Sequence, residues 1–128
     1  MTWEWGGAQG RRFNLLYGGV YGPEATTSPF FLTLVDSLGV RQVMRFSRIR
    51  YEPEGVGVPT RFSLLAVRDA DSVRLDVDVR HTLGTGMSAS AFRRTFLQMR
   101  GAFRLEGRLS GQPITDTGEG FFETYLSR

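Results

Sequence analysis

Hydrophobic and polar side chains alternate along most of this 128-residue chain. Because successive side chains of a β-strand point to opposite faces, the alternation predicts strands with one buried and one exposed face. Short clusters of glycine, proline, aspartate and serine interrupt the alternation and predict turns. The alternating segments are Arg12–Tyr21, Phe30–Asp36, Val40–Tyr51, Thr60–Asp69, Val73–Thr82, Thr95–Ser110 and Ile114–Leu126, with a short leading strand at Trp3–Trp5.

These segments predict an all-β fold of seven or eight strands joined in sequence order. A meander of that size can close on itself, which removes the exposed edges of an open sheet. We therefore expect residues 1–128 to form a single domain, an antiparallel up-and-down β-barrel. One stretch departs from the pattern: residues 83–94 are too many for a hairpin and have helical character after Ser88. We expect a short helix or lid around 86–94, with a disordered loop as the alternative.

The parity of the strands assigns side chains to the two faces. In the segment Val73–Thr82 the odd-numbered residues are apolar, and the single histidine, His81, continues that row. His81 is therefore predicted to point inward near one end of the barrel. In the segment Thr95–Ser110 the inward row contains Met99 and Phe103 together with two glycines, which leave room for a ligand or a bend.

Three segments are apolar on both faces, namely Arg12–Tyr21, Phe30–Val35 and Phe62–Val67. An isolated small barrel needs a polar exterior, so these strands predict a second layer over part of the outer surface. The simplest second layer is another copy of the chain, and we expect a homodimer.

Composition removes several kinds of chemistry. The chain has no cysteine, one histidine and no lysine, so disulfides, thiolate nucleophiles, clusters of cysteine or histidine metal ligands and Schiff bases are excluded. No phosphate-binding loop or nucleophile elbow occurs, and we expect neither a metal ion nor a cofactor. The net charge is +3, but the arginines alternate with acidic residues except near Arg45–Arg50 and Arg93–Arg94. Nucleic acid is therefore an unlikely partner.

The chain contains no apolar stretch long enough for a membrane-spanning helix, so no membrane insertion is expected. Its first residues lack the basic and apolar regions of a signal peptide. On these two observations the expected location is cytoplasmic.

Two parts of the sequence resemble a known family. The C-terminal part has a glycine-punctuated pattern of aromatic and charged residues, and the N-terminal part has tryptophans that open the first strand. Both resemble the second lipocalin-like (calycin) domain of the AttH and carotenoid 1,2-hydratase group, which also includes fungal Diels–Alderases. The residues that carry the resemblance are Phe96–Gly101, Gly107–Gly111, Gly118–Tyr125 and Trp3–Gly6.

The resemblance implies a barrel that binds a polyene, isoprenoid or polyketide in an apolar interior. Some members promote addition or cyclisation without a cofactor, so it also implies a cyclase, isomerase or hydratase of secondary metabolism. Members usually carry two barrels in tandem, whereas this chain has the length of one. Pairing of two copies would rebuild that arrangement, which agrees with the predicted homodimer.

Chemistry of this kind needs aromatic walls and one acid. The candidate catalytic residues are Glu123, with Glu119 beside it in the same strand, and His81 as a proton carrier at the mouth. The candidate ligand-binding residues are Trp3, Trp5, Tyr17, Tyr21, Met44, Met99, Phe103, Phe122 and Tyr125. Each also has a structural interpretation: an arginine partner for Glu123, a surface position for His81 and core packing for the tryptophans and methionines. Whether the protein is an enzyme stays open, and the alternative is a non-catalytic interaction or structural barrel that works as a homo-oligomer.

Overall fold

The computed structural model describes residues 2–22, 29–54, 58–85 and 94–127, and all regular structure in these ranges is β-strand. No helix in the described ranges has the length and apolarity needed to cross a membrane. The strands are β1 (Thr2–Gly10), β2 (Asn14–Tyr21), β3 (Phe31–Asp36), β4 (Gly39–Arg45), β5 (Arg50–Glu52), β6 (Arg61–Arg68), β7 (Asp71–Thr85), β8 (Arg94–Leu109) and β9 (Gln112–Ser127).

Every strand pairs antiparallel with its neighbours in the order β4-β3-β2-β1-β9-β8-β7-β6-β5. The sheet closes because the end of β4 also pairs with β6, where Arg45 lies opposite Val67. Eight strands form the closed barrel, and β5 is an additional strand beside β6. The predicted all-β, up-and-down antiparallel barrel is confirmed.

The region predicted as one strand, Val40–Tyr51, forms two. The strand β4 ends at Arg45 and β5 begins at Arg50, and both lie along the same edge of β6. The parity of the inward side chains changes between them: Phe46 is buried together with Met44, whereas Tyr51 turns inward from an odd-numbered position. The predicted helix or lid around 86–94 lies outside the described residues apart from Arg94, which begins β8.

One hydrophobic core lies inside the barrel. In β8 the buried row is Leu97, Met99, Phe103, Leu105 and Leu109, as the alternation predicts, while Arg100, Arg104 and Arg108 are exposed. From the other strands and the residues next to them the core receives chiefly Phe13, Leu15, Tyr17, Phe30, Leu32, Leu34, Met44, Phe46, Phe62, Leu64, Val73, Leu75, Val77, Ile114 and Phe122.

The predicted inward position of His81 is wrong. A register shift in the pairing of β7 with β8 lies between Val79 and His81, so that Arg80 is an extra residue. The extra residue inverts the alternation beyond it. His81 is consequently exposed and lies opposite the exposed Arg100.

Trp3 and Trp5, predicted to line the interior, do not face it: they are 41% and 38% exposed on the outer face. Tyr21 lies opposite Thr2, in the inward row, and contacts the buried ring of Phe30, but it is exposed at the end of β2. The inward row of β1 is instead Glu4, Gly6 and Ala8. A side chain at Gly6 would overlap the rings of Tyr17 and Phe122, which lie opposite it on the two neighbouring strands. Only small side chains therefore fit at this point in the inward row of β1. The tryptophans consequently lie in the outward row.

Candidate functional site

A carboxyl group lies inside the barrel. Glu4 is only 3% exposed, and it accepts two side-chain hydrogen bonds. Tyr51 Oη on β5 donates to Glu4 Oε2 at 2.6 Å, and Thr124 Oγ1 on β9 donates to Glu4 Oε1 at 2.9 Å. Thr124 is directly opposite Glu4 in the pairing of β1 with β9, so the fold itself sets the second contact. The three residues form the Glu4 cluster.

Burial changes the protonation of this carboxyl group. It raises the pKa of Glu4 from 4.5 to about 7, against the opposing effect of the two hydrogen bonds. Desolvation penalises the ionised form more than two neutral hydroxyl donors stabilise it. Both protonation states of Glu4 are therefore populated near neutral pH, which is the condition for a general acid or base at that pH.

A second buried polar group accompanies the Glu4 cluster. Tyr17 on β2 is fully buried, and its Oη has no hydrogen-bond partner among the described residues. Burial, with the charge of Glu4 in addition, holds the pKa of Tyr17 well above its usual range, so its hydroxyl stays protonated. Because buried hydroxyls are nearly always hydrogen-bonded, Tyr17 Oη is an unusual group: a donor inside the barrel that no described residue accepts from.

Aromatic rings surround these polar groups. Tyr17 stacks on Phe122 with 6.1 Å between ring centroids and meets the edge of Phe46 at 5.8 Å. Phe62 contacts both Phe122, at 5.1 Å, and Tyr51, at 5.4 Å. Ring faces attract cations, so a positive charge that developed beside Glu4 would be stabilised by the same walls.

The interior is tightly packed beside Gly6, where Tyr17 and Phe122 leave no room for even a methyl group. Of the two hydrogen-bond partners of Glu4, Tyr51 is half-buried and Thr124 is buried, so the carboxyl group is less enclosed on the side of Tyr51. The arrangement therefore contains one carboxyl group whose pKa lies near neutral pH, one hydroxyl group without a hydrogen-bond partner among the described residues, and aromatic rings around both.

The structure separates the predicted ligand-binding residues into two groups. Tyr17, Met44, Met99, Phe103 and Phe122 are buried inside the barrel, and Tyr17 and Phe122 lie beside the Glu4 cluster. On the outer surface are Trp3, Trp5 and the half-buried Tyr125, with Trp3 packed on Phe96 and Trp5 on Phe121. Tyr21 belongs to neither group, because it lies at the exposed end of the inward row of β2, against Phe30.

The predicted catalytic residues do not meet. Glu123 belongs to the outer row of β9, opposite the exposed Trp5, and its Oε1 accepts a hydrogen bond from Gln98 Nε2 at 3.1 Å. His81 is on β7, two strands away, in a surface cleft of about 410 Å³ that Arg80, Arg100 and Glu119 also line. Catalytic roles for Glu123 and His81 stay predictions.

Sequence reasoning missed Glu4, Tyr51 and Thr124. The usable signal for Glu4 was its parity with Gly6 and Ala8, two small residues that a strand can place against a crowded interior. Tyr51 carried no comparable signal, because its contact with Glu4 spans 47 residues of sequence.

Comparison with known proteins gives a structural likeness and no sequence relative. No family model matches the chain, and no curated protein matches it in sequence. The solved structure of kievitone hydratase from Nectria haematococca superposes with a TM-score of 0.61 at 13% identity. The superposition covers 98% of this chain and 39% of the hydratase chain, so this barrel spans about two fifths of that protein.

The barrel is lipocalin-like. At 13% identity the likeness concerns the fold alone, and the fold is the one that the terminal segments of the sequence predicted.

Proposed function

We propose that this barrel binds a hydrophobic small molecule of the polyene, isoprenoid or polyketide class, and that Glu4 acts on it as a cofactor-independent general acid. The observation that carries the proposal is a buried carboxyl group with a pKa of about 7 inside an aromatic enclosure. The likeness to a hydratase fold supports the same kind of non-redox chemistry.

In the proposed reaction, protonated Glu4 gives its proton to a carbon–carbon double bond of the ligand. The cation that forms is held against the rings of Tyr17 and Phe122. A second carbon then returns a proton to the Glu4 carboxylate, which completes an isomerisation or cyclisation. Where a water molecule adds to the cation, its proton returns to Glu4 and the result is hydration. Hydrogen bonds from Tyr51 and Thr124 stabilise the carboxylate between the two transfers.

Tyr17 Oη is the proposed partner of a polar group on the ligand. Tyr17→Phe should weaken binding of retinol, a polyene alcohol, by about fivefold to tenfold, because one hydrogen bond is lost. Retinol fluorescence during titration measures the affinity. Tyr125→Phe removes a hydroxyl from the outer row and should leave the affinity unchanged. Equal affinity of wild type and Tyr17→Phe would refute the assignment.

The acid is tested by proton exchange. Incubation with retinol or farnesol in D₂O should place deuterium on a ligand carbon, measured by mass spectrometry, and Glu4→Gln should slow the uptake by about 100-fold or more. Glu123→Gln and His81→Gln serve as comparison variants. If deuterium uptake were slow in Glu123→Gln or His81→Gln and normal in Glu4→Gln, the catalytic residue would be Glu123 or His81, as the sequence predicted.

The outer face of the barrel supports a second proposal, a homodimer. Exposed apolar side chains lie next to one another on β1, β2, β3 and β9, and Glu123 is the charged residue among them. This outer apolar face comprises Trp3, Trp5, Leu16, Val20, Phe31 and Phe121. A second copy presents the same largely apolar face, so two copies would cover these side chains, while Glu123 keeps its hydrogen bond from Gln98 Nε2.

Trp5→Glu should convert the dimer to a monomer, because it places two carboxylates in an apolar interface. Sedimentation velocity measures the change. Leu83→Glu, which alters an exposed apolar residue of β7 away from this face, is the control and should stay dimeric. A wild-type protein that sediments as a monomer would end the dimer proposal.

A further inference from the structure

The barrel wall has a seam where β4 and β5 share one edge of β6. β4 pairs with β6 at Val67, and β5 pairs with it at residues 61–63. Between these points, residues 64–66 of β6 pair with β7 on one side and with no described strand on the other. A groove of about 1170 Å³ opens along the seam, and it is called the seam groove here.

Positive charge is concentrated in the seam groove. Its lining includes Arg45, Arg48, Arg50 and Arg74, with Glu52 as the acidic residue. Arg74 is already paired, since its Nε lies 3.0 Å from Asp76 Oδ2. The guanidinium groups of Arg48 and Arg50 form no ion pair within the described residues. In a chain whose net charge is only +3, this is a local excess.

The same groove has an apolar side. Leu65 and Val67 on β6 are 57% and 49% exposed and line it together with the buried ring of Phe46. Among the described residues that line the groove, Phe46 is the only aromatic one, and because it is buried they offer no exposed ring on which a nucleobase could stack. Arginine forks beside an apolar strip match a ligand with an oxyanion head and a hydrocarbon tail.

We propose that the seam groove is a binding site for an amphipathic anion, whose carboxylate or phosphate head is held by Arg48 and Arg50 and whose tail lies on Leu65 and Val67. This site is on the outside of the barrel wall and does not require Glu4 chemistry. Phe46 separates the two sites, because it lines the groove and also contacts Tyr17.

Isothermal titration with decanoate and with decyl phosphate, below their micelle concentrations, tests the site. Arg48→Gln combined with Arg50→Gln should weaken binding of the tighter ligand by about tenfold or more. Arg100→Gln combined with Arg104→Gln removes the same charge from exposed positions of β8 and should change the affinity less than about twofold. Because Arg48 and Arg50 are exposed, both double variants should unfold at the wild-type temperature.

The choice of ligand separates the contributions of head and tail. Decanol, which lacks the charge, and inorganic sulfate, which lacks the tail, should each bind more weakly than the amphipathic anions. Preference for decanoate or for decyl phosphate identifies the head group, and either result supports the site. Equal binding by the two double variants, or sulfate binding as tightly as both amphiphiles, would overturn the proposal. An oligonucleotide that depends on Arg48 and Arg50 and is not displaced by either amphiphile would overturn it as well.

Discussion

Glu4→Gln should make the protein more stable than wild type above about pH 8, while leaving stability near pH 4 almost unchanged. The pKa of Glu4 is raised from 4.5 to about 7 in the folded protein. Between these two values the folded state binds more protons than the unfolded state, so wild-type stability falls as the pH rises. The loss approaches about 3 kcal/mol and is complete once the pH exceeds the folded-state pKa.

A glutamine at this position keeps an oxygen acceptor for Tyr51 or Thr124 and has no ionised form. The free energy of unfolding of Glu4→Gln should therefore lack this downward slope. Urea unfolding of both proteins at a series of pH values measures the difference. Glu123→Gln, which alters a half-buried carboxylate of the outer row, should follow the wild-type curve. Parallel curves for wild type and Glu4→Gln would show that Glu4 ionises normally.

Asp116→Ala should destabilise the fold by about 3 kcal/mol, because it leaves several backbone donors without a partner. The Asp116 carboxylate accepts backbone N–H bonds from Arg11, Arg12 and Phe13 at 3.1, 2.9 and 2.8 Å, and one from Thr117 at 2.9 Å. These bonds fix the turn between β1 and β2 against β9, and thus the start of the strand that carries Tyr17.

Thermal or urea unfolding at neutral pH checks this value, with Asp78→Ala, in an exposed pair with Arg61, as a control that should cost little. Burial acts to raise the pKa of Asp116, but the four N–H donors outweigh it and hold the pKa below 3.8. Its stabilisation is therefore present above pH 3.8 and is lost as the pH falls through the folded-state value. An Asp116→Ala protein as stable as Asp78→Ala at neutral pH would contradict this role.

Alternation was sufficient to predict the architecture. In β8 the inward row keeps a period of two from Leu97 to Leu109, and no bulge interrupts its pairing with β9. Local alternation carries this information because the pleat alone decides which side chains share a face.

The candidate site depended on facts that local patterns do not contain. Hydrophobicity alone predicts that Trp3 and Trp5 point inward. They point outward because the rings of Tyr17 and Phe122, opposite Gly6, leave no room for a larger residue in the inward row. A one-residue bulge, invisible in the apolar row of β7, turned His81 outward. Where both faces of a strand are apolar, tertiary packing decides which face is buried. A single inserted residue exchanges the inward and outward positions of all residues beyond it in the strand.

Titration of the Glu4 carboxyl group is the most direct test of the account. In protein labelled with ¹³C at glutamate side-chain carboxyls, the Glu4 resonance is identified by its absence from the spectrum of Glu4→Gln. We predict that its chemical shift titrates with a midpoint at about pH 7. A midpoint near the ordinary value of 4.5 would contradict the central claim that the barrel encloses an acid poised for proton transfer at neutral pH.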